Sequence, residues 1–130
     1  MIKFSRIVLE PTDMKRRGLD VFKVANDIDV YLNSSHFVTI PEGFESDGAS
    51  LPKWARSKWK SWGKYSGPSL LHDYLLATSK YPKWLIDTLF YISLRCCKVS
   101  ALEAAIFWVS VRIRRTKHSP PITVPGVYSS

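Results

Sequence analysis

The apolar residues of this chain change their period once, after Pro52, and that change restricts the fold to a sheet followed by helices. Ahead of it, Ile2–Leu9 alternates enough to form a strand. Pro11-Thr12-Asp13 and the basic run from Met14 to Gly18 read as a loop. Leu19–Lys23 and Asp29–Leu32 are β-prone runs, and Ala25-Asn26-Asp27 between them predicts a hairpin turn. His36–Ile40 is a further strand, ended by Pro41-Glu42-Gly43.

Beyond Pro52 the spacing becomes helical. Ser69 is the expected cap of a first helix reaching about Ser79. Tyr81-Pro82 breaks it, and Pro82 suits the entry of a second helix over Lys83–Lys98, with Leu85, Leu89, Ile92 and Cys96 on one face. Ser100 with Glu103 has the pattern of a capping box for a third helix, which ends in the cations Arg112, Arg114 and Arg115. The break at Tyr81-Pro82 is so short that the first two helices must fold back as an antiparallel pair. The expected architecture is α+β in one domain. Residues 1–45 form a small antiparallel β-meander, 46–68 a site loop, 69–117 three helices and 118–130 an extended, proline-containing tail.

A chain of 130 residues buries a sizeable core without covalent staples. Its formal net charge of +8 points either to an anionic partner, nucleic acid or membrane, or to a device for solubility. Cys96 and Cys97 are neighbours inside a predicted helix and diverge too far to bond each other, so no disulfide framework is expected. The first residues lack the apolar core of a signal peptide, and the apolar run at Ala101–Val111 is too short to cross a membrane.

The chemistry is concentrated between Phe44 and Leu76. His72 and Asp73 are consecutive, so on a helix they diverge by about 100° and take two roles rather than one. Asp87 lies about as far past the Tyr81-Pro82 break as His72 lies before it, which lets Asp87 face His72 across the helix pair. A histidine held by a carboxylate is the arrangement of an oriented general base. Asp73 is then available to a cation together with the Asp47-Gly48 turn, and calcium suits carboxylate and carbonyl oxygens. The same residues also read as a satisfied core pair beside a polar turn.

Two resemblances bear on this choice. Asp47-Gly48-Ala49-Ser50, a proline, a loop and then His72-Asp73 resemble the calcium loop and His-Asp helix of the small bacterial and fungal phospholipases A2. Over a longer span, the F-x-S/T-D-x-A-S-x-P turn, the H-D-Y-L run and Asp87 ahead of Phe90 resemble small phage-encoded proteins of unknown function, domain-of-unknown-function family 1353. The phospholipase resemblance implies His72 as the base that activates water and Asp87 as its orienting partner. It also implies Ca2+ on Asp47, Gly48 and Asp73, polarising an ester carbonyl. The phospholipase cysteines fall at Ala49 and Ser69, a joint loss that suits a reducing compartment. Leu76 stands where both families usually carry a tyrosine, which in the phospholipases helps to hold the aspartate, and Tyr74 and Tyr91 are the candidates to replace it.

Between the acidic turn and His72 lies a segment of interleaved cations and indoles: Lys53, Trp54, Arg56, Lys58, Trp59, Lys60, Trp62 and Lys64. Trp favours the membrane–water interface and cations favour anionic headgroups, so the segment fits an anionic membrane surface or phospholipid. It also fits single-stranded nucleic acid, or a solvated rim over core tryptophans. His36 reads as a surface or packing residue, and His118 carries no argument. Three functions follow as expectations. The first is a phage-type calcium-dependent ester hydrolase; the second is a non-catalytic structural or tail-associated protein that binds other phage proteins; the third is a basic nucleic-acid module. The expected location is the virion or the host cytoplasm.

Overall fold

The computed structural model describes residues 1–16, 19–46 and 63–113. Six strands among these residues precede three helices, so the α+β expectation holds. The strands are β1 (Ile2–Phe4), β2 (Leu9–Arg16), β3 (Leu19–Val24), β4 (Ile28–Leu32), β5 (Ser35–Ile40) and β6 (Glu45–Ser46). They divide between two antiparallel sheets, one ordered β1-β4-β5 and the other β2-β3-β6.

The connectivity departs from a simple meander at two places. Ala25-Asn26-Asp27 is not a hairpin turn, because β3 and β4 belong to different sheets. It is a crossing fastened to the 6–8 link: the Asn26 side chain accepts from the Val8 N–H at 3.2 Å and donates to the Arg6 carbonyl at 3.0 Å. The tight hairpin joins β4 to β5 instead, where Asn33 and Ser34 take φ of 51° and 71°. Two consecutive left-handed residues are what a two-residue hairpin turn needs.

The second departure is Pro11–Arg16, expected as loop and found as most of β2. Pro11 is tolerated because β2 pairs only with β3, on a sheet edge, and the pairing is irregular between Pro11 and Lys15. The strand expected over Ile2–Leu9 is correspondingly short and ends at Phe4.

The helices are α1 (Gly63–Thr78), α2 (Lys83–Cys96) and α3 (Ala101–Ile113). Ser69 is not the cap of α1. The helix is already under way at Gly63, so residues 63–68 of the expected site loop are helical and Pro68 lies inside the helix. Ser69 is fully buried, and its hydroxyl has no hydrogen-bond partner among the described residues. Residues 65–72 are all buried, so α1 is covered around its whole circumference. Such a helix has no polar face and gives no amphipathic start signal.

Pro82 is the residue before α2, with φ of −66°. That helix stops at Cys96, two residues short of expectation. Lys98 turns left-handed at φ 70°, and the Lys98 and Val99 amides bond back to the Arg95 and Leu94 carbonyls. This is a Schellman ending without the usual glycine, so no sequence signal marked it. Ser100 caps α3 as expected, accepting from the Glu103 N–H at 3.2 Å. Glu103 does not close the box; its carboxylate accepts from the Tyr65 hydroxyl at 3.3 Å and so ties α3 to α1. The expected tail at 118–130 lies outside the described residues.

A single core joins the sheets to the helices, with Ile2, Val24, Ile28, Val30 and Ile40 packed against Leu70, Leu71, Ile86, Phe90 and Phe107. Gly67 of α1 lies close against the β1 region. A Cβ built there meets the Phe4 ring at 3.0 Å and Ile7 Cδ1 at 3.2 Å. A leucine at this position is expected to lower stability by about 1–3 kcal/mol. Urea denaturation of Gly67→Leu measures this, and an unchanged midpoint would show that the contact is slack.

Candidate functional site

His72 comes from α1, and Asp87 comes from the early part of α2. The short 79–82 link folds α2 back along α1, and the two side chains meet with His72 Nε2 2.6 Å from Asp87 Oδ1. Both are sealed from solvent, at 3% and 0% exposure, so neither charge is moderated by bulk water. The Phe90 ring lies against the imidazole with centroids 4.8 Å apart.

The second oxygen of Asp87 is also occupied. Oδ2 accepts from Lys83 Nζ at 2.7 Å and from Arg112 Nη1 at 3.1 Å. Lys83 donates further to the Val111 carbonyl at 2.6 Å, which fixes the end of α3 beside the start of α2. Asp87 therefore joins all three helices. Lys83 and Arg112 were not among the expected site residues. The i,i+4 spacing of Lys83 and Asp87 was a readable signal, whereas Arg112 read only as a cation at a helix end.

Where the resemblance implies a tyrosine holding the aspartate, these two cations do the holding. Neither Tyr74 nor Tyr91 bonds Asp87. Tyr74 packs edge-on against Phe44 with centroids 5.2 Å apart.

Asp73 turns away from the Asp87 contact, as consecutive helical residues must. Its Oδ1 stands 3.9 Å from His72 Nδ1, beyond hydrogen-bond length, and its Oδ2 accepts from the Ser46 hydroxyl at 2.5 Å. Ser46 ends β6, whose pairing with Phe22 of β3 anchors it. The residue next in sequence is Asp47. The site thus has a closed side, where Nε2 meets Asp87, and an opposite side, where Nδ1 and Asp73 face the end of β6.

Burial pushes the His72 pKa down, but the neighbouring carboxylates of Asp73 and Asp87, the latter hydrogen-bonded at 2.6 Å, outweigh it and raise the imidazole above its usual 6.5. For Asp87, burial pushes upward, and the hydrogen bonds from His72 and Lys83 prevail and hold it below the usual 3.8. Asp87 is therefore a carboxylate at neutral pH. In the neutral imidazole, Nε2 carries the proton donated to Asp87, and Nδ1 is the basic nitrogen.

The remaining expected residues divide clearly. Asp47, Gly48, Lys53, Trp54, Arg56, Lys58, Trp59, Lys60 and Trp62 lie outside the described residues. Lys64 belongs to α1 rather than to a loop, and its side chain also lies outside the described residues. Among the described residues, no cluster of three or more histidine, cysteine or acidic side chains is arranged to hold a metal ion. Asp73 supplies hard carboxylate oxygen, the donor type that calcium takes, and Asp47 follows Ser46 in sequence.

Cys96 and Cys97 are free thiols. Burial, then the neighbouring Cys96, push Cys97 up to about 11, so it is no reactive thiolate. His36 is half exposed on β5 and pairs with Thr39 at 2.8 Å. No helix among the described residues is long and apolar enough to cross a membrane.

A family model described as "Protein of unknown function (DUF1353)" matches residues 22–111, from within β3 to the last turn of α3. No curated protein and no solved structure gives a significant match to the chain.

Proposed function

We propose, for a chain that belongs to the DUF1353 family of proteins of unknown function, that His72 is the general base of a phage-type, calcium-dependent ester hydrolase working at a membrane surface. One observation carries this reading. His72 Nε2 is held by Asp87 while Nδ1 is turned toward Asp73 and the end of β6.

Calcium, when bound, would be held by Asp73 with Asp47 and Gly48 and would polarise an ester carbonyl. The chain's own residues do the rest. Nδ1 takes a proton from water as the water oxygen bonds to the carbonyl carbon. Asp87 stabilises the imidazolium that forms, and Lys83 and Arg112 keep that carboxylate from rotating away. The tetrahedral adduct then breaks its bond to the alcohol oxygen, and Nδ1–H returns the proton to the leaving group. The virion or the host cytoplasm is the proposed place of action.

A second reading is favoured by the saturation of Asp87, which is fully buried and bonded by three partners. In it the network is only a structural clasp, and the protein is a non-catalytic phage structural component. A nucleic-acid module, drawn from the cations and indoles interleaved over Lys53–Lys64, is the weaker third.

Hydrolysis of phospholipid and short-chain esters in calcium separates the first two. His72→Asn is expected to lower the rate by about 10²–10⁴-fold. Turnover should rise with pH through the raised pKa of His72, above 6.5. An unchanged rate in the variant, or no turnover by folded wild type with calcium, would leave the structural reading. Stability in calcium-free buffer gives an independent check of the network. A raised histidine pKa contributes stability that is complete below 6.5 and is lost as pH rises through the folded value. The depressed Asp87 contributes stability that is present above 3.8 and is lost as pH falls through its lower folded value. The advantage of wild type over His72→Asn should therefore shrink on the alkaline side of 6.5.

A further inference from the structure

We infer that the outer face of α3 is a docking surface for an anionic lipid bilayer. The helix is apolar on two sides. Ala104, Phe107 and Val111 point into the core and are buried. Leu102, Ile106, Val109 and Ile113 are exposed at 73%, 45%, 46% and 74%. Their 4-3-4 spacing places all four on one stripe, with Trp108 also exposed. An apolar face on each side of a helix calls for cover on both, and among the described residues the protein supplies it on one.

Charge selects the cover. The charged side chains within α3 are Glu103, engaged with Tyr65, and Arg112, engaged with Asp87, so no acidic group faces outward along the stripe. The stripe ends at Ile113, and Arg114, Arg115 and Lys117 follow in sequence, within a chain of net charge +8. Cations beside an apolar stripe complement anionic headgroups over acyl chains. A second copy would carry the same net charge of +8.

Length sets the orientation. A 13-residue helix spans about 20 Å, short of the roughly 30 Å bilayer core, so it lies along the interface rather than across it. Trp108, exposed on α3 itself, is an aromatic of the kind that favours the interface. This surface is distinct from the Lys53–Lys64 segment, and docking through it does not require His72 to be a base.

The test is flotation of the full chain with phosphatidylcholine–phosphatidylglycerol vesicles, alongside sedimentation of the free protein. Wild type is expected to be monomeric and to bind these vesicles, and to bind pure phosphatidylcholine less. Leu102→Glu with Ile113→Glu is expected to weaken binding about tenfold or more. Leu102→Ser with Ile113→Ser should also weaken it, without added negative charge. These two positions are the most exposed of the stripe, so both variants keep the fold. Undiminished binding by both variants, or no binding by wild type at low salt, would overturn the inference. So would a wild-type dimer that the glutamates dissociate, since a second copy would then cover the stripe. Binding is read without turnover, so its failure leaves the His72 reading untouched.

Discussion

Asp87→Ala is expected to lower the unfolding free energy by about 3–5 kcal/mol, a large share of the roughly 5–15 kcal/mol that holds a domain of this kind together. The size follows from what stays behind. Removing the carboxylate leaves the Lys83 ammonium at 26% exposure and the Arg112 guanidinium at 37%, both aimed at an empty, sealed position. The buried His72 loses its 2.6 Å partner at the same time. Each group retains the cost of its desolvation without the attraction that offset it. Lys83 keeps one bond, to the Val111 carbonyl, so α3 stays tethered to α2 while Asp87 no longer links α1 to either. Asp87→Asn should cost less, because an amide oxygen can still accept from one donor. Urea denaturation at pH 7 measures the series. A loss below about 1 kcal/mol for the alanine variant would mean that the cations simply swing into solvent. The hub would then be a surface ion pair in energetic terms, whatever its burial.

How much of this was legible in the sequence depends on where each signal resides. The His72–Asp87 contact was readable because two helices joined by a short break place matched offsets opposite each other. The arithmetic needed only the break at Tyr81-Pro82. The start of α1 was not readable, because residues 65–72 are buried on every side and their sequence shows no alternation of polar and apolar faces. Pro68 added a false stop signal inside a helix that continues past it. The sheet was harder still. Whether Leu19–Lys23 and Asp29–Leu32 pair with each other is decided by contacts with Leu9–Arg16 and with Glu45–Ser46, remote in sequence. Asn33-Ser34 did carry a local turn signal, and an intrinsically β-prone run on each side concealed how tight the turn is. At the site, Lys83 and Arg112 take the place that the resemblance assigns to a tyrosine. A departure at Leu76 could be seen in sequence, but its replacement by two cations from other helices depends on tertiary packing.

Phe90→Ala is expected to cost about 3–5 kcal/mol and, beyond that, to alter the chemistry of His72. Phe90 is completely buried in α2, and its ring is the wall against which the imidazole rests, 4.8 Å between centroids. Deleting the ring leaves a cavity next to the His72–Asp87 bond, and the imidazole is free to turn about its side-chain torsions into it. Two changes should follow together. Stability falls by the lost transfer and cavity terms, as for any large core residue. The His72 pKa falls back toward its ordinary 6.5, because its elevation depends on how the imidazole is placed against the Asp73 and Asp87 carboxylates. Phe90→Leu separates the effects, keeping most of the volume at a cost near 1–2 kcal/mol while removing the flat face. Histidine proton resonances followed over pH 5 to 9 would measure the second effect, and urea melts the first. A Phe90→Leu protein that is nearly as stable as wild type, with His72 titrating lower, would show that the aromatic face sets the base. If His72 titrates identically in both variants, the two carboxylates hold the ring without help, and Phe90 contributes volume only.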